Sequence, residues 1–189
     1  MRDLTPGAAI PLSSSSVFTS AQSTQRIDAL LDQGSFKPLG PGEDATLIAG
    51  TGEIGGRPVA VAATRREIAG GSIGVADAKL LTVLLQRCRE NVLPCVLCLD
   101  SAGARLDQGL PALGAFRHMY RNVLDARNHD LPMLVLVGRD CFGGASMLAA
   151  AGSRRIYAIG SRLAMSGPAV IQALGVEIPL RTLFEEPTV

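Results

Sequence analysis

Four short stretches rich in glycine and small polar residues carry most of the chemical potential of this sequence. Gly143-Gly144 lies between Cys141-Phe142 and Ala145-Ser146. A glycine pair at a helix start leaves backbone N–H groups unpaired and unobstructed, a setting for bound or developing negative charge. Two chemistries compete there. The amides of Gly143 and Gly144 could form an oxyanion hole, or Ser146 or Cys141 could act as a nucleophile. A nucleophile needs a base within hydrogen-bond reach. The two histidines, His118 and His129, fall on a helix or its end, where solvation is the commoner role. Gly70-Gly71-Ser72-Ile73-Gly74 reads as a backbone cradle for a phosphate or thioester, or equally as a tight packing turn. It has neither the spacing of a dinucleotide fingerprint nor the Lys-Ser/Thr of a P-loop. In Ser101-Ala102-Gly103-Ala104-Arg105, small residues present N–H groups. Arg105 could grip a carboxylate or phosphate, or simply pair with Asp100 or Asp107. Ser166-Gly167-Pro168 could line the same pocket or only punctuate a helix start.

Other site chemistries find little support. Cys95 and Cys98 form a CxxC, but inside a run that reads as a strand, where residues three apart face opposite sides. No second CxxC accompanies it, so no zinc or other metal site is expected. The four cysteines sit in apolar contexts and read as reduced, buried thiols of a cytoplasmic protein. A formal net charge of +1 gives no electrostatic case for nucleic acid or an anionic membrane, and tryptophan is absent. No apolar run reaches the ~18 residues of a membrane span, and the N-terminus lacks a secretory h-region.

The elements that must position these stretches follow from periodicity. Residues 1–20 are rich in Pro, Ser and Thr and read as a mobile tail. Residues 21–189 read as a single domain, long enough to bury a core. A short helix, 25–31, is capped by Ser23 or Thr24 and stopped by Gly34. Runs 46–54 and 58–64 flank Gly55-Gly56-Arg57 and predict a hairpin. An amphipathic helix is expected over 75–90, with Ala76, Leu80, Val83, Leu84 and Arg87 near helical spacing and Leu81, Leu85 and Cys88 widening the face. A buried strand is expected over 95–99, then a loop 100–109 and a helix 111–128. A central strand over 133–137 is expected to end in a polar turn, Gly138-Arg139-Asp140. A helix 145–151, strands 155–159 and 162–166, and a helix 169–174 complete the reading. From residue 58 onward the order is strand, glycine loop, helix, repeated. That predicts parallel strands with the glycine loops at their carboxyl ends, where open α/β sheets bind ligands.

The stretch from Arg26 to Gln172 resembles the carboxyltransferase half of biotin-dependent carboxylases, and more closely the beta subunit of biotin-independent malonate decarboxylase. The motifs that carry the resemblance are RIDALLDQGSF (26–36), GGSIG with its helix (70–79), SAGARLDQG (101–109), CFGGAS (141–146) and SGPAVIQ (166–172). It implies a ClpP/crotonase-like fold of repeated ββα units acting on acyl thioesters. It further implies two oxyanion-binding loops, carried by Gly103 and Ala104 and by Gly143 and Gly144. Gly70 to Gly74, Arg105, Ser166 and Gly167 would then lie around the substrate. The implied activity is decarboxylation of malonyl to acetyl thioester, on an acyl carrier protein or coenzyme A, through an enolate. The implied partners are a homologous gamma-type subunit and the carrier protein. No cofactor would be bound covalently.

The sequence departs from that family pattern in places. Ala169 and Gln172 stand where glutamates are usual, and SGGAR has become SAGAR. The chain stops at Val189, and it carries neither an N-terminal zinc-binding CxxC pair nor a biotin-attachment motif. A carboxyltransferase subunit of a biotin-dependent acyl-CoA carboxylase and a non-catalytic assembly subunit are therefore the alternatives. A Clp-type serine peptidase is disfavoured because Ser166 occupies the position where the base should follow.

Overall fold

The computed structural model describes residues 23–40 and 45–175. The tail expected over 1–20 and the stretch from 177 to the end lie outside them. The chain opens with α1 (Ser23–Leu30), the two-residue β1 (Lys37–Pro38), β2 (Leu47–Ile54) and β3 (Arg57–Thr64). After a 3-10 turn at Ala69–Gly71 come α2 (Val75–Asn91), β4 (Cys95–Ser101) and, past a second 3-10 turn, α3 (Gly109–Asn128). The last part holds β5 (Met133–Phe142), α4 (Gly144–Ala151), β6 (Arg154–Tyr157), β7 (Arg162–Ala164) and α5 (Pro168–Ala173).

Among the described residues, all strands join one sheet in the order β1-β2-β3-β4-β5-β6, with β7 also pairing to β5. The hairpin β2–β3 is antiparallel and turns at Gly55-Gly56, as the sequence predicts. From β3 onward every pairing is parallel. Strands 3 to 5 read as continuous apolar runs because both faces of the sheet are covered. On one face Ala60, Ala62, Leu97, Leu99, Val135 and Val137 pack with Leu81, Leu84 and Leu85 of α2, Met119 and Val123 of α3 and Leu148 of α4. On the other, Val59, Val61, Val96, Cys98 and Leu136 meet Ile27 of α1 and Leu31 beyond it. Cys95 and Cys98 thus lie on opposite faces, and all four thiols are buried and free.

Three expectations need correction. The buried stripe of α2 runs through Ala78, Leu81, Leu85 and Cys88, with Leu84 beside it, while Val83 is 42% exposed. The stripe is rotated because the first turn is fixed by Asp77, which is buried and accepts hydrogen bonds from the amides of Leu47 and Gly74. Strand β6 ends at Tyr157, leaving Ile159 79% exposed. Finally, Gly138-Arg139-Asp140 is no turn. Strand β5 runs through it to Phe142, because Asp140 finds cationic partners and Gly138 packs on the Asp100 side chain.

Candidate functional site

The four glycine stretches follow the carboxyl ends of β3, β4, β5 and β7. Residues 70–74 and 101–105 are stitched together as a short parallel bridge. Ala102 N–H donates to the Gly70 carbonyl (2.9 Å), Ile73 N–H to Gly103 (2.8 Å) and Arg105 N–H to Ile73 (2.9 Å). Gly71 has φ +68°, and a Cβ there would fall on the carbonyl oxygen of Asp100. Only glycine allows that approach.

Gly103 and Gly143 bring the other two loops against each other. A Cβ on Gly103 (φ +108°) would stand 3.1 Å from the Phe142 carbonyl and 3.6 Å from the Gly143 Cα. Met165, just before Ser166, closes the third side, its carbonyl 3.7 Å from where a Gly143 Cβ would be. Gly167 packs on the Phe142 ring, and Ser166 is exposed. The loops after β4, β5 and β7 therefore converge at one place, as expected for a shared pocket.

Hydrogen bonding separates the expected oxyanion donors into two kinds. The Gly103 amide donates to Ser101 Oγ (3.1 Å) and the Gly143 amide to the Ala164 carbonyl (3.0 Å). Those two N–H groups hold the loops in shape. Among the described residues no hydrogen bond engages the amides of Ala104 and Gly144. Both residues are half-buried, and Gly144 is the first residue of α4. A half-buried amide without a partner is a ready donor to a ligand oxygen.

Gly70 to Gly74 behaves differently. Every amide from Gly71 to Val75 already donates within the chain: to Ile68, Ala69 and Gly103 carbonyls, to Asp77 Oδ2 and to Gln108 Oε1. The loop is a joint between β3, α2 and β4, and from Gly71 onward its amides are engaged within the chain. Ser72 is 8% exposed and its carbonyl accepts from Thr46 Oγ1. Arg105 reaches Ser72 Oγ (3.4 Å), the Ser72 carbonyl (3.5 Å) and Asp77 (3.8 Å). The Asp100 carboxylate considered for Arg105 is held by Arg26 and Arg66.

The nucleophile readings do not survive. Ser146 Oγ donates to the Gly143 carbonyl (2.7 Å), a helix back-bond, and the residue is buried. Burial, reinforced by Asp100 and Asp140, pushes the Cys141 thiol up to about 12. His118 and His129 are exposed on α3 and at its end. Among the described residues no three His, Cys, Asp or Glu side chains are grouped to hold a metal, and no helix is long and apolar enough to cross a membrane.

One feature was not foreseen from the sequence. Beneath the loops runs a chain of charges: Arg26–Asp100–Arg66–Asp140–Arg162, with distances of 3.0, 2.6, 2.7 and 2.5 Å. Asp100 is fully buried. Burial disfavours the Arg66 guanidinium, but hydrogen bonds and charge from Asp100 and Asp140 outweigh it and raise its pKa above the ordinary value. The available signal was a carboxylate near the carboxyl end of each apolar strand run, but the sequence does not say which arginines meet them.

Residues 20–181 match the carboxyl transferase domain. The chain belongs to that family. It is 30% identical over 138 residues to the propionyl-CoA carboxylase carboxyltransferase subunit of Haloferax mediterranei, covering 64% of this chain and 26% of that one. It is 28% identical over 177 residues to the acetyl-coenzyme A carboxylase carboxyl transferase subunit beta of Fusobacterium nucleatum, covering 78% and 57%. Among solved structures, the Pseudomonas malonate decarboxylase MdcD-MdcE hetero-dimer superposes with a TM-score of 0.75 at 28% identity, covering 86% of this chain and 72% of that chain. Transcarboxylase 12S superposes with a TM-score of 0.79 at 23% identity over 91% and 36%, a likeness of fold. The crotonase-like fold is thereby established. The chain spans about a quarter of the length of the propionyl-CoA carboxylase relatives and just over half that of the acetyl-coenzyme A carboxylase subunit.

Proposed function

We propose that this chain is a carboxyltransferase-type subunit that stabilises the enolate of an acyl-CoA thioester. The observation that carries the reading is the pair of open amides, Ala104 and Gly144, on two loops in mutual contact at the carboxyl end of a parallel sheet. When the α-carbon of an acyl thioester loses a proton or CO2, the bonding electrons move onto the thioester oxygen. Fixed N–H donors aimed at that oxygen lower the barrier without a side-chain nucleophile. The enolate carbon then takes up CO2 in carboxyl transfer, or a proton in decarboxylation. The names of the relatives, mostly acyl-CoA carboxylases, favour carboxyl transfer.

Malonyl-thioester decarboxylation is the second reading. It is favoured by the Pseudomonas malonate decarboxylase chain, of which this chain spans 72%, a far larger share than of the propionyl-CoA carboxylases. Under either reading a second, homologous subunit completes the enzyme. The outer face of α3 supports this, since Leu110 and Leu113 are 81% and 55% exposed, as is Leu106 just before the helix at 77%. Under the decarboxylase reading an acyl carrier protein presents the substrate. Under the carboxylase reading CoA carries it, and the CO2 donor arrives on another chain.

The deciding experiment gives the chain and its partner subunit malonyl-CoA in D2O, and separately an acyl-CoA with a labelled CO2 donor. Deuterated acetyl-CoA identifies a decarboxylase, and label in the acyl-CoA identifies a carboxyltransferase. Unchanged thioester in both assays would sink the proposal.

A further inference from the structure

Strands β4 and β5 stay in register up to Leu99↔Val137, and the next pair is Ser101↔Cys141. One residue of β4, Asp100, therefore faces three of β5, Gly138 to Asp140. In such a bulge the ladder loses its regular partners. Side chains replace them here. The Asp140 amide donates to Asp100 Oδ1 (3.2 Å), and the absent Gly138 side chain leaves the room that Asp100 fills, a Cβ there being 2.9 Å from Asp100 Oδ2.

The Asp140 carboxylate continues outward from the bulge. Its Oδ2 meets Arg66 Nη1 (2.7 Å), the nitrogen that also holds Asp100 Oδ1. Its Oδ1 accepts from Arg162 Nε (2.7 Å) and Nη2 (2.5 Å). Arg162 begins β7, and two residues later the Ala164 carbonyl accepts the Gly143 amide. The Arg162 guanidinium also lies 5.6 Å from the centre of the Phe142 ring. At the other end, Asp100 precedes Ser101, whose hydroxyl accepts the Gly103 amide. Polar contacts, linked by the backbone between Asp100 and Ser101 and between Arg162 and Ala164, thus join the residue before Ala104 to the residue before Gly144, with Asp140 at their middle. Strand β7 has only three residues, so its own ladder gives it little hold on β5.

We infer that Asp140 is a positioning residue: its carboxylate, gripped by Arg66 and Arg162, sets where the Gly144 amide stands relative to the Ala104 amide. The inference rests on the oxyanion reading above. Asp140→Asn keeps the size and removes the charge. In the complete enzyme with an acyl-CoA substrate it should lower kcat about tenfold to a hundredfold and leave KM within about twofold, since misplacement by about 1 Å costs that much in rate. In a 15N–1H spectrum of the chain, the Gly144 resonance should move while those of Ile73 and Gly74, in the joint loop, stay in place. Arg162→Lys, which keeps the charge and loses the two-pronged grip, should fall between the two. Wild-type kcat with an unmoved Gly144 resonance overturns the inference. So does a rise in KM alone, and so does a general shift of resonances that makes Asp140 merely a fold-wide support. If the wild-type enzyme turns over no thioester, the functional proposal fails, and the Gly144 resonance still decides whether Asp140 positions that amide.

Discussion

Gly70-Gly71 and Gly143-Gly144 both follow a parallel strand at the same end of the sheet, and each leads into a helix. Their backbones have opposite fates. The first loop is closed: five successive amides, from Gly71 to Val75, end on acceptors supplied by its own turn, by Gly103, and by Asp77 and Gln108. The second loop is closed at Gly143 and open at Gly144. A third glycine pair, Gly55-Gly56, is closed by one exposed carboxylate, with both amides donating to Asp32 (2.9 and 2.7 Å). Glycine therefore marks where a backbone can turn or be approached. Whether it can bind an anion depends on whether a neighbour has already supplied the acceptor.

The largest effect expected from breaking this contrast is at Gly144. Proline is tolerated in the first turn of a helix and lacks the N–H. Gly144→Pro should lower kcat about a hundredfold relative to Gly144→Ala, the usual loss for one oxyanion donor. Alanine is the right control because both side chains meet the Phe116 ring, 2.5 Å from the ideal Cβ. Equal activity of the two variants would remove Gly144 from the chemistry, and full activity of both would make the chain an assembly subunit.

In the closed loop the cost should appear as stability instead. Gly71→Ala combines a positive φ with contact against a backbone carbonyl. Urea unfolding should show a loss on the order of 3 kcal/mol. Asp77→Ala strips acceptors from the Leu47 and Gly74 amides, and a loss of about 2 kcal/mol is expected from the same measurement. Gly70→Ala has φ +63° but only an ordinary contact, 3.4 Å from Ala102 Cβ, so about 1 kcal/mol should be lost. If Gly70 and Gly71 respond alike, the close approach to Asp100 does not matter.

The smallest effect belongs to the exposed turn. The Gly56 and Gly55 amides, in that order, lower the Asp32 pKa below its ordinary 3.8. A depressed carboxylate pKa contributes stability that is complete above the unfolded value and is lost as pH falls through the folded one. Wild type should therefore lose this contribution in acid below about pH 4. Asp32→Asn should be slightly less stable than wild type at neutral pH and converge with it in acid, giving a flatter acid limb in thermal melts. A variant with an unchanged acid limb would show that the turn closes without the carboxylate.

Much of the fold was legible in the sequence. Continuous apolar runs such as CVLCL and MLVLV, each followed by glycine and a helical pattern, predict buried parallel strands, and both faces of that sheet are covered. The opposite facing of Cys95 and Cys98 follows from strand geometry alone. The convergence of Gly103, Gly143 and Gly167 was legible from their places after successive strands. The misread element was Gly138-Arg139-Asp140, where glycine and polar residues signalled a turn. Its strand conformation depends on Asp100, forty residues earlier, and on Arg66 and Arg162. The contact of Arg105 with Asp77 was not legible for the same kind of reason, since it joins segments distant in sequence.

The sequence alone determined the alternation of strand, turn and helix, the apolar runs that are buried from both sides, and the positions where only glycine fits. These properties depend on neighbouring residues and on periodicity. Tertiary structure alone decided which amides are closed and which open. The acceptors come from residues that are remote in sequence: the Gly143 amide needs Ala164, the Val75 amide needs Gln108, and the Asp140 amide needs Asp100. A hydrogen bond is a local contact in space, and for these loops space is set by the register of the whole sheet.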